Sequence, residues 1–154
     1  MTSSMQATIR RAFEAPAAYR TQLQAEFQVL LISGNLETRR AISKVLEALF
    51  IKVVSCSTLS QARQALSLQR PNLIFCDERL SDGGYEDFLD LDHERRIASP
   101  VVVLTRTGEW EFYMEATRRG ALDVIRSPWC PTDIELTIIR AAREQKQKVA
   151  RPVR

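Results

Sequence analysis

The sequence predicts an α/β fold, a doubly wound five-stranded parallel sheet with helices on both faces. Three observations carry that expectation. From Phe27 onward, five short apolar runs alternate with five segments of helical period. The runs are close to continuously apolar, as strands covered on both faces must be. Each run leads into a helical segment, the pattern of right-handed βαβ crossovers.

The first strand is expected at "FQVLLI" (27–32). "LETRRAISKVLEALF" (36–50) then sets Ile42, Val45, Leu46 and Leu49 on one helical face, with Asn35 as N-cap and Glu37 in the first turn. "KVVSC" (52–56) is the second strand, and "TLSQARQALSLQ" (58–69) repeats Leu59, Ala62, Ala65 and Leu66 at helical spacing until Arg70-Pro71 stops it. "NLIFC" (72–76) is the third strand and runs into Asp77. "YEDFLDLDHERRI" (85–97) is a helix with Phe88, Leu89 and Leu91 apolar. Pro100 introduces the fourth strand, "VVVL" (101–104), and "EWEFYMEATRR" (109–119) is a helix closed by Gly120. "LDVIR" (122–126) is the fifth strand. "PTDIELTIIRAAREQKQK" (131–148) opens on good first-turn residues and carries Ile134, Ile138 and Ala141 on one face.

Three segments follow: an arm over 1–25, expected to be flexible with at most a short helix at 5–14; a domain over 26–148; and a basic tail over 149–154. With 154 residues, 45% hydrophobic and 27% charged, the chain has the composition of a soluble globular domain. No apolar run approaches the ~20 residues of a membrane helix, and the N-terminus has no apolar signal core, so a cytoplasmic protein is expected. Cys56, Cys76 and Cys130 lie far apart and His93 is the single histidine, which disfavours a zinc site. Cys56 and Cys76 sit in strand-like runs and are expected as buried thiols. The net charge of +3 is uneven: +2 over residues 1–25, +5 over 140–154 and −4 between them. Basic tails could attract nucleic acid, but cations at a helix C-terminus are favoured by its dipole anyway, so nucleic acid is not the expected partner. Gly34 stands in no G-x-G-x-x-G or Walker pattern, which leaves a nucleotide site without support.

In such a sheet, ligands bind at the carboxyl ends of the strands. Those ends present Ser33-Gly34-Asn35, Ser57, Asp77-Glu78-Arg79, Thr105-Arg106 and Ser127-Pro128-Trp129. The segments "NLIFCDERLSDGGYEDFL", "SPVVVLT" and "RRGALDVIRSPW", in that order and strand context, resemble the receiver domains of two-component response regulators. The resemblance covers about Phe27 to Gln147 and implies the flavodoxin-like (βα)5 receiver fold. It implies a phosphorelay signalling role, no enzyme activity, and other signalling proteins as partners: a histidine kinase, a downstream target, or a second copy of the chain.

Residue by residue, the resemblance places Asp77 where the family accepts a phosphoryl group and Thr105 where a hydroxyl contacts that group. Ser127 replaces the family's lysine, with Pro128 and the aromatic Trp129 kept. Ser33 and Gly34 replace the acidic pair that holds Mg²⁺. Val124 takes the aromatic switch position, and Ser81 stands where proline is usual. The expected consequence is a degenerate, stand-alone receiver. It has no metal ligand set and binds Mg²⁺ at most weakly, because two formal charges beside a divalent ion are gone. Two readings of Asp77 stay open: a phosphoacceptor, or a structural carboxylate that satisfies backbone groups. Arg106, or else Arg79, is expected to fold over the crevice and pair with Asp77. Trp110, Tyr113 and Trp129 are candidates for a partner surface or for core.

Overall fold

The order of apolar runs translates directly into a sheet. The structure, a computed structural model, describes residues 27–95 and 97–150. Its elements are β1 (Gln28–Ile32), α1 (Leu36–Ala48), β2 (Lys52–Cys56), α2 (Leu59–Leu68), β3 (Leu73–Asp77), β4 (Arg79–Leu80), β5 (Gly83–Gly84), α3 (Tyr85–Arg95), β6 (Val101–Thr105), α4 (Trp110–Arg118), β7 (Asp123–Arg126) and α5 (Pro131–Ala150). The main sheet is parallel, in the order β2-β1-β3-β6-β7. The chain steps outward from β1 to β2, then returns past β1 to β3. The order therefore reverses between β1 and β3, and a crevice opens at their carboxyl ends. The doubly wound parallel sheet expected from the sequence is thus the fold observed. The expected arm over 1–25 lies outside the described residues, and of the expected tail, residues 149 and 150 continue α5.

Alternation along the strands divides the core in two. Leu31, Phe75 and Leu104 face α1 and α5, where Ile42, Leu46, Ile134 and Ile138 are buried against them. Ile32, Cys76 and Val103 face the other way, onto Leu59 and Ala62 of α2, Phe88 and Leu89 of α3, and Ala116 of α4. Each such aliphatic or aromatic side chain contributes roughly 1.5–3 kcal/mol by leaving water. Cys56 and Cys76 are buried free thiols, as expected, and Cys130 is exposed. Burial pushes the Cys56 thiol up to about 11, so neither inertness nor packing is surprising for it.

The helix ends follow their local sequence. Asn35 Oδ1 accepts from the N–H groups of Glu37 and Thr38, at 2.8 and 3.3 Å. Gly120 closes α4 at φ +109°, and the N–H of Ala121 reaches back to the Ala116 carbonyl at 3.0 Å. No described helix is long and apolar enough to cross a membrane.

One feature was absent from the sequence reading. Residues 79–84 form a two-rung antiparallel hairpin, β4 with β5. Asp82 at its tip accepts from the N–H groups of Leu59 and Ser60, at 2.8 and 2.9 Å, and so caps α2 from a distance. Gly83 lies so close to α2 and α3 that a Cβ there would sit 2.5 Å from Leu59 Cδ1 and 2.7 Å from Asp87 Oδ2. The loop after Asp77 is therefore tied down on both sides.

Candidate functional site

The carboxyl ends of the three central strands, β1, β3 and β6, line one crevice. Asp77 is the last residue of β3 and pairs in register with Leu104, while Thr105 ends β6 opposite Arg126. The ladder continues one rung past each strand: the Ser33 N–H donates to the Cys56 carbonyl at 3.0 Å, Glu78 N–H to Leu104 at 2.8 Å, and Ser127 N–H to Thr105 at 2.8 Å. Each strand end is thus held by its neighbour, and the side chains there have little freedom of placement.

Asp77 is turned toward β1. Its Oδ2 accepts from the Ser33 hydroxyl at 2.8 Å and from the Gly34 N–H at 3.0 Å. Ser33 is fully buried and its Oγ also accepts from the Asn35 N–H at 3.2 Å. The Arg39 guanidinium on α1 donates to the Ser33 carbonyl at 2.6 Å, which fixes the same turn from the other side. Among the described residues nothing donates to Asp77 Oδ1. Burial raises the Asp77 carboxyl above its ordinary value. The Ser33 hydroxyl, the Gly34 N–H, and the charges of Arg106 and Arg39 pull it back.

The expected ion pair between Arg106 and Asp77 is not formed: no guanidinium among the described residues lies within 4.0 Å of Asp77. Arg106 and Arg79 are exposed. The reason is physical. Oδ2 already has two short-range donors, and stripping water from a guanidinium to add a third would cost more than the exposed position gains. Arg106 acts on Asp77 only through its field.

Thr105 is almost fully buried, and among the described residues its hydroxyl bonds to Glu78 and Thr107 and not to Asp77. It donates to Glu78 Oε2 at 2.7 Å and accepts from the Thr107 N–H at 3.1 Å. Among the described residues no hydrogen bond joins Ser127 to Asp77, and the Ser127–Pro128 peptide is cis. Val124 is half-buried against the second core cluster. Trp129 is core-packed, its indole N–H donating to Thr38 Oγ1 at 3.4 Å. Trp110, by contrast, is 66% exposed and stacks on Tyr113 with ring centroids 5.3 Å apart. Among the described residues, no three His, Cys, Asp or Glu side chains cluster tightly enough to hold a metal ion.

The family model described as "Response regulator receiver domain" matches residues 29–139. The chain belongs to the response regulator receiver family. Among curated relatives, the receiver is 29% identical over 125 residues to the C4-dicarboxylate transport transcriptional regulatory protein DctD of Pseudomonas aeruginosa, covering 81% of this chain and 27% of that protein. It is 24% identical over 125 residues to the acid tolerance regulatory protein ActR of Rhizobium meliloti, covering 81% of this chain and 64% of that protein. The receiver thus spans less than two thirds of either relative. Among solved structures, the beryllofluoride-activated NtrC4 receiver domain dimer superposes with TM-score 0.71 at 25% identity, covering 76% of this chain and 97% of that one. The receiver domain of Francisella response regulator 1452 gives TM-score 0.73 at 15% identity, covering 78% and 99%, and shares the fold.

Sequence reasoning named Ser33 and Gly34 as positions of lost charge. It did not identify them as donors to Asp77, nor Glu78 as the partner of Thr105. The available signal was the Asp-Glu pair at a strand end, since strand alternation keeps two successive carboxylates from sharing one position.

Proposed function

We propose that this receiver signals by contact with other proteins and that its crevice is set by its own hydrogen bonds rather than by a divalent cation and a phosphoryl group. One observation carries the reading: Ser33 and Gly34 donate to the carboxylate at the place where the family supplies Mg²⁺-binding acids. A hard divalent ion wants several anionic oxygens. Here it would meet one carboxylate whose Oδ2 already accepts from two neutral donors, the Ser33 hydroxyl and the Gly34 N–H, so the donor set does not fit Mg²⁺. Ser127, in place of the lysine, removes the second source of charge that phosphoryl transfer would use. Trp110, 66% exposed and stacked on the half-buried Tyr113, with Met114 51% exposed on the same helix, supports α4 as the contact face.

A second reading, the working phosphoacceptor, is favoured by a single feature: among the described residues nothing donates to Asp77 Oδ1. The two separate cleanly. The protein is incubated with a small phosphodonor and Mg²⁺, and its intact mass is measured. The proposed function expects the unmodified mass. A single phosphoryl adduct that disappears in Asp77→Ala establishes the phosphoacceptor instead.

A further inference from the structure

We propose that Glu78 is the positioning residue for Thr105: a carboxylate of the chain itself occupies the hydroxyl that a receiver would otherwise present to Asp77. The inference rests on the family reading of Thr105 as the switch hydroxyl, but not on whether Asp77 is ever phosphorylated.

A threonine hydroxyl has one proton to donate. Thr105 gives it to Glu78 Oε2 at 2.7 Å, so it cannot also give it to a group at Asp77. The acceptor is a carboxylate, and hydrogen bonds to ionised groups are about twice as strong as neutral ones. The carboxylate is also well placed. The Glu78 N–H donates to Leu104 at 2.8 Å and its carbonyl accepts from the Tyr85 N–H at 3.2 Å, so the backbone beneath it is held from both sides. Asp77 and Glu78 are neighbours at the end of β3, and they take different partners: Asp77 bonds to Ser33, just past β1, and Glu78 to Thr105, at the end of β6.

The bond does not stop at Thr105. Thr105 Oγ1 accepts from the Thr107 N–H at 3.1 Å, and Thr107 Oγ1 accepts from the Glu109 N–H at 3.2 Å. Glu109 is the N-cap of α4, and Trp110 follows it. A continuous run of hydrogen bonds therefore leads from Glu78 to the first turn of the helix that carries the exposed Trp110. Glu78 sets the turn 105–109 permanently, where a transferable group would set it transiently.

Amide hydrogen exchange by NMR on the full chain tests this, with no phosphodonor and no metal, so the outcome is independent of the proposed function. In Glu78→Ala the Thr107 amide is expected to exchange about tenfold faster, with a smaller acceleration at Glu109. Thr105→Val, which keeps shape and burial, is expected to do the same. The double variant is expected to add nothing further. Glu78→Gln, which keeps an acceptor of equal length, is expected to restore most of the protection, while the Phe75 amide in β3 stays as in the wild type throughout. Unchanged Thr107 exchange in Glu78→Ala would overturn the proposal, as would additive effects in the double variant. Should Glu78→Ala not fold, Glu78→Leu, which keeps side-chain bulk without an acceptor, is read on the same amides, and unchanged Thr107 exchange in it overturns the proposal.

Discussion

Replacing Ser33 by alanine removes the one side chain that binds the Asp77 carboxylate from a fully buried position. Two contacts are lost: the 2.8 Å bond to Asp77 and the 3.2 Å bond that Ser33 Oγ accepts from the Asn35 N–H. A hydrogen bond to an ionised group contributes about 1.5–3 kcal/mol, and an orphaned buried donor adds to the loss. Asp77 itself is only half-buried, so water replaces part of the interaction, and the expected loss is about 2 kcal/mol near neutrality. Against a total of roughly 5–15 kcal/mol for a domain, that is easily measured. The pH dependence identifies the cause. Burial raises the Asp77 carboxyl above its unfolded value, with Ser33 the largest opposing influence. The folded state therefore holds that proton to higher pH than the unfolded state does. Stability falls as pH rises from the ordinary carboxylate range through the folded value. Without Ser33 the folded value rises further and the fall deepens. The Ser33→Ala loss is thus largest where Asp77 is ionised and shrinks where both states are protonated. Urea unfolding near pH 7 and near pH 3 measures both ends. A loss under about 0.5 kcal/mol near neutrality, or an equal loss at both pH values, refutes the reasoning.

Other outcomes follow from the same geometry. Ser33→Asp with Gly34→Asp restores two carboxylates, and a side chain at 34 meets nothing closer than the Ser57 carbonyl at 4.0 Å. Each acid attracts a divalent ion at ~4 Å by about 8 kcal/mol at an effective dielectric near 20, before hydration is lost, so calorimetry should show at least a ~tenfold gain in Mg²⁺ affinity. Asp82→Ala frees the first N–H groups of α2. Those two N–H groups hold the Asp82 carboxyl below its ordinary value, so its stabilisation is present above the unfolded value and lost as pH falls through the folded one. The variant should therefore be destabilised near neutrality and match the wild type in acid. Gly120→Ala forces a Cβ into φ +109° and should cost about 1 kcal/mol or more in urea unfolding.

The fold was legible because its signals are local. "VLLI", "LIFC" and "VVVL" are too continuously apolar for anything but buried strands, and Asn35 and Gly120 cap helices through their own chemistry. The helix before the tail was expected to stop at Lys148 and continues to Ala150, an end-fraying difference. The hairpin at 79–84 was not legible. "RLSDGG" has no apolar alternation, and its register comes from Asp82 reaching α2, more than 20 residues away in sequence. The site was half legible. The positions of Asp77, Thr105, Ser33, Gly34 and Ser127 at the strand ends follow from the order of elements. Their partners do not. Counting formal charges singled out Arg106 as the group to neutralise Asp77, whereas a serine hydroxyl and a backbone N–H, invisible to a charge count, took the oxygen first. Trp129, for which surface and core were both open, packs on the core, because the order of elements alone does not say which way an indole after the fifth strand turns.

The central claim is that donors from the turn after β1, Ser33 and Gly34, occupy Asp77 where a metal site would need acids. A Mg²⁺ titration of the wild-type protein, followed by NMR at the Gly34 and Asp77 amides, tests it most directly. The account predicts no saturable shift of either amide through millimolar Mg²⁺, with the Gly34 N–H remaining bonded to Asp77. A saturating shift at submillimolar Mg²⁺, abolished by Asp77→Asn, would contradict it.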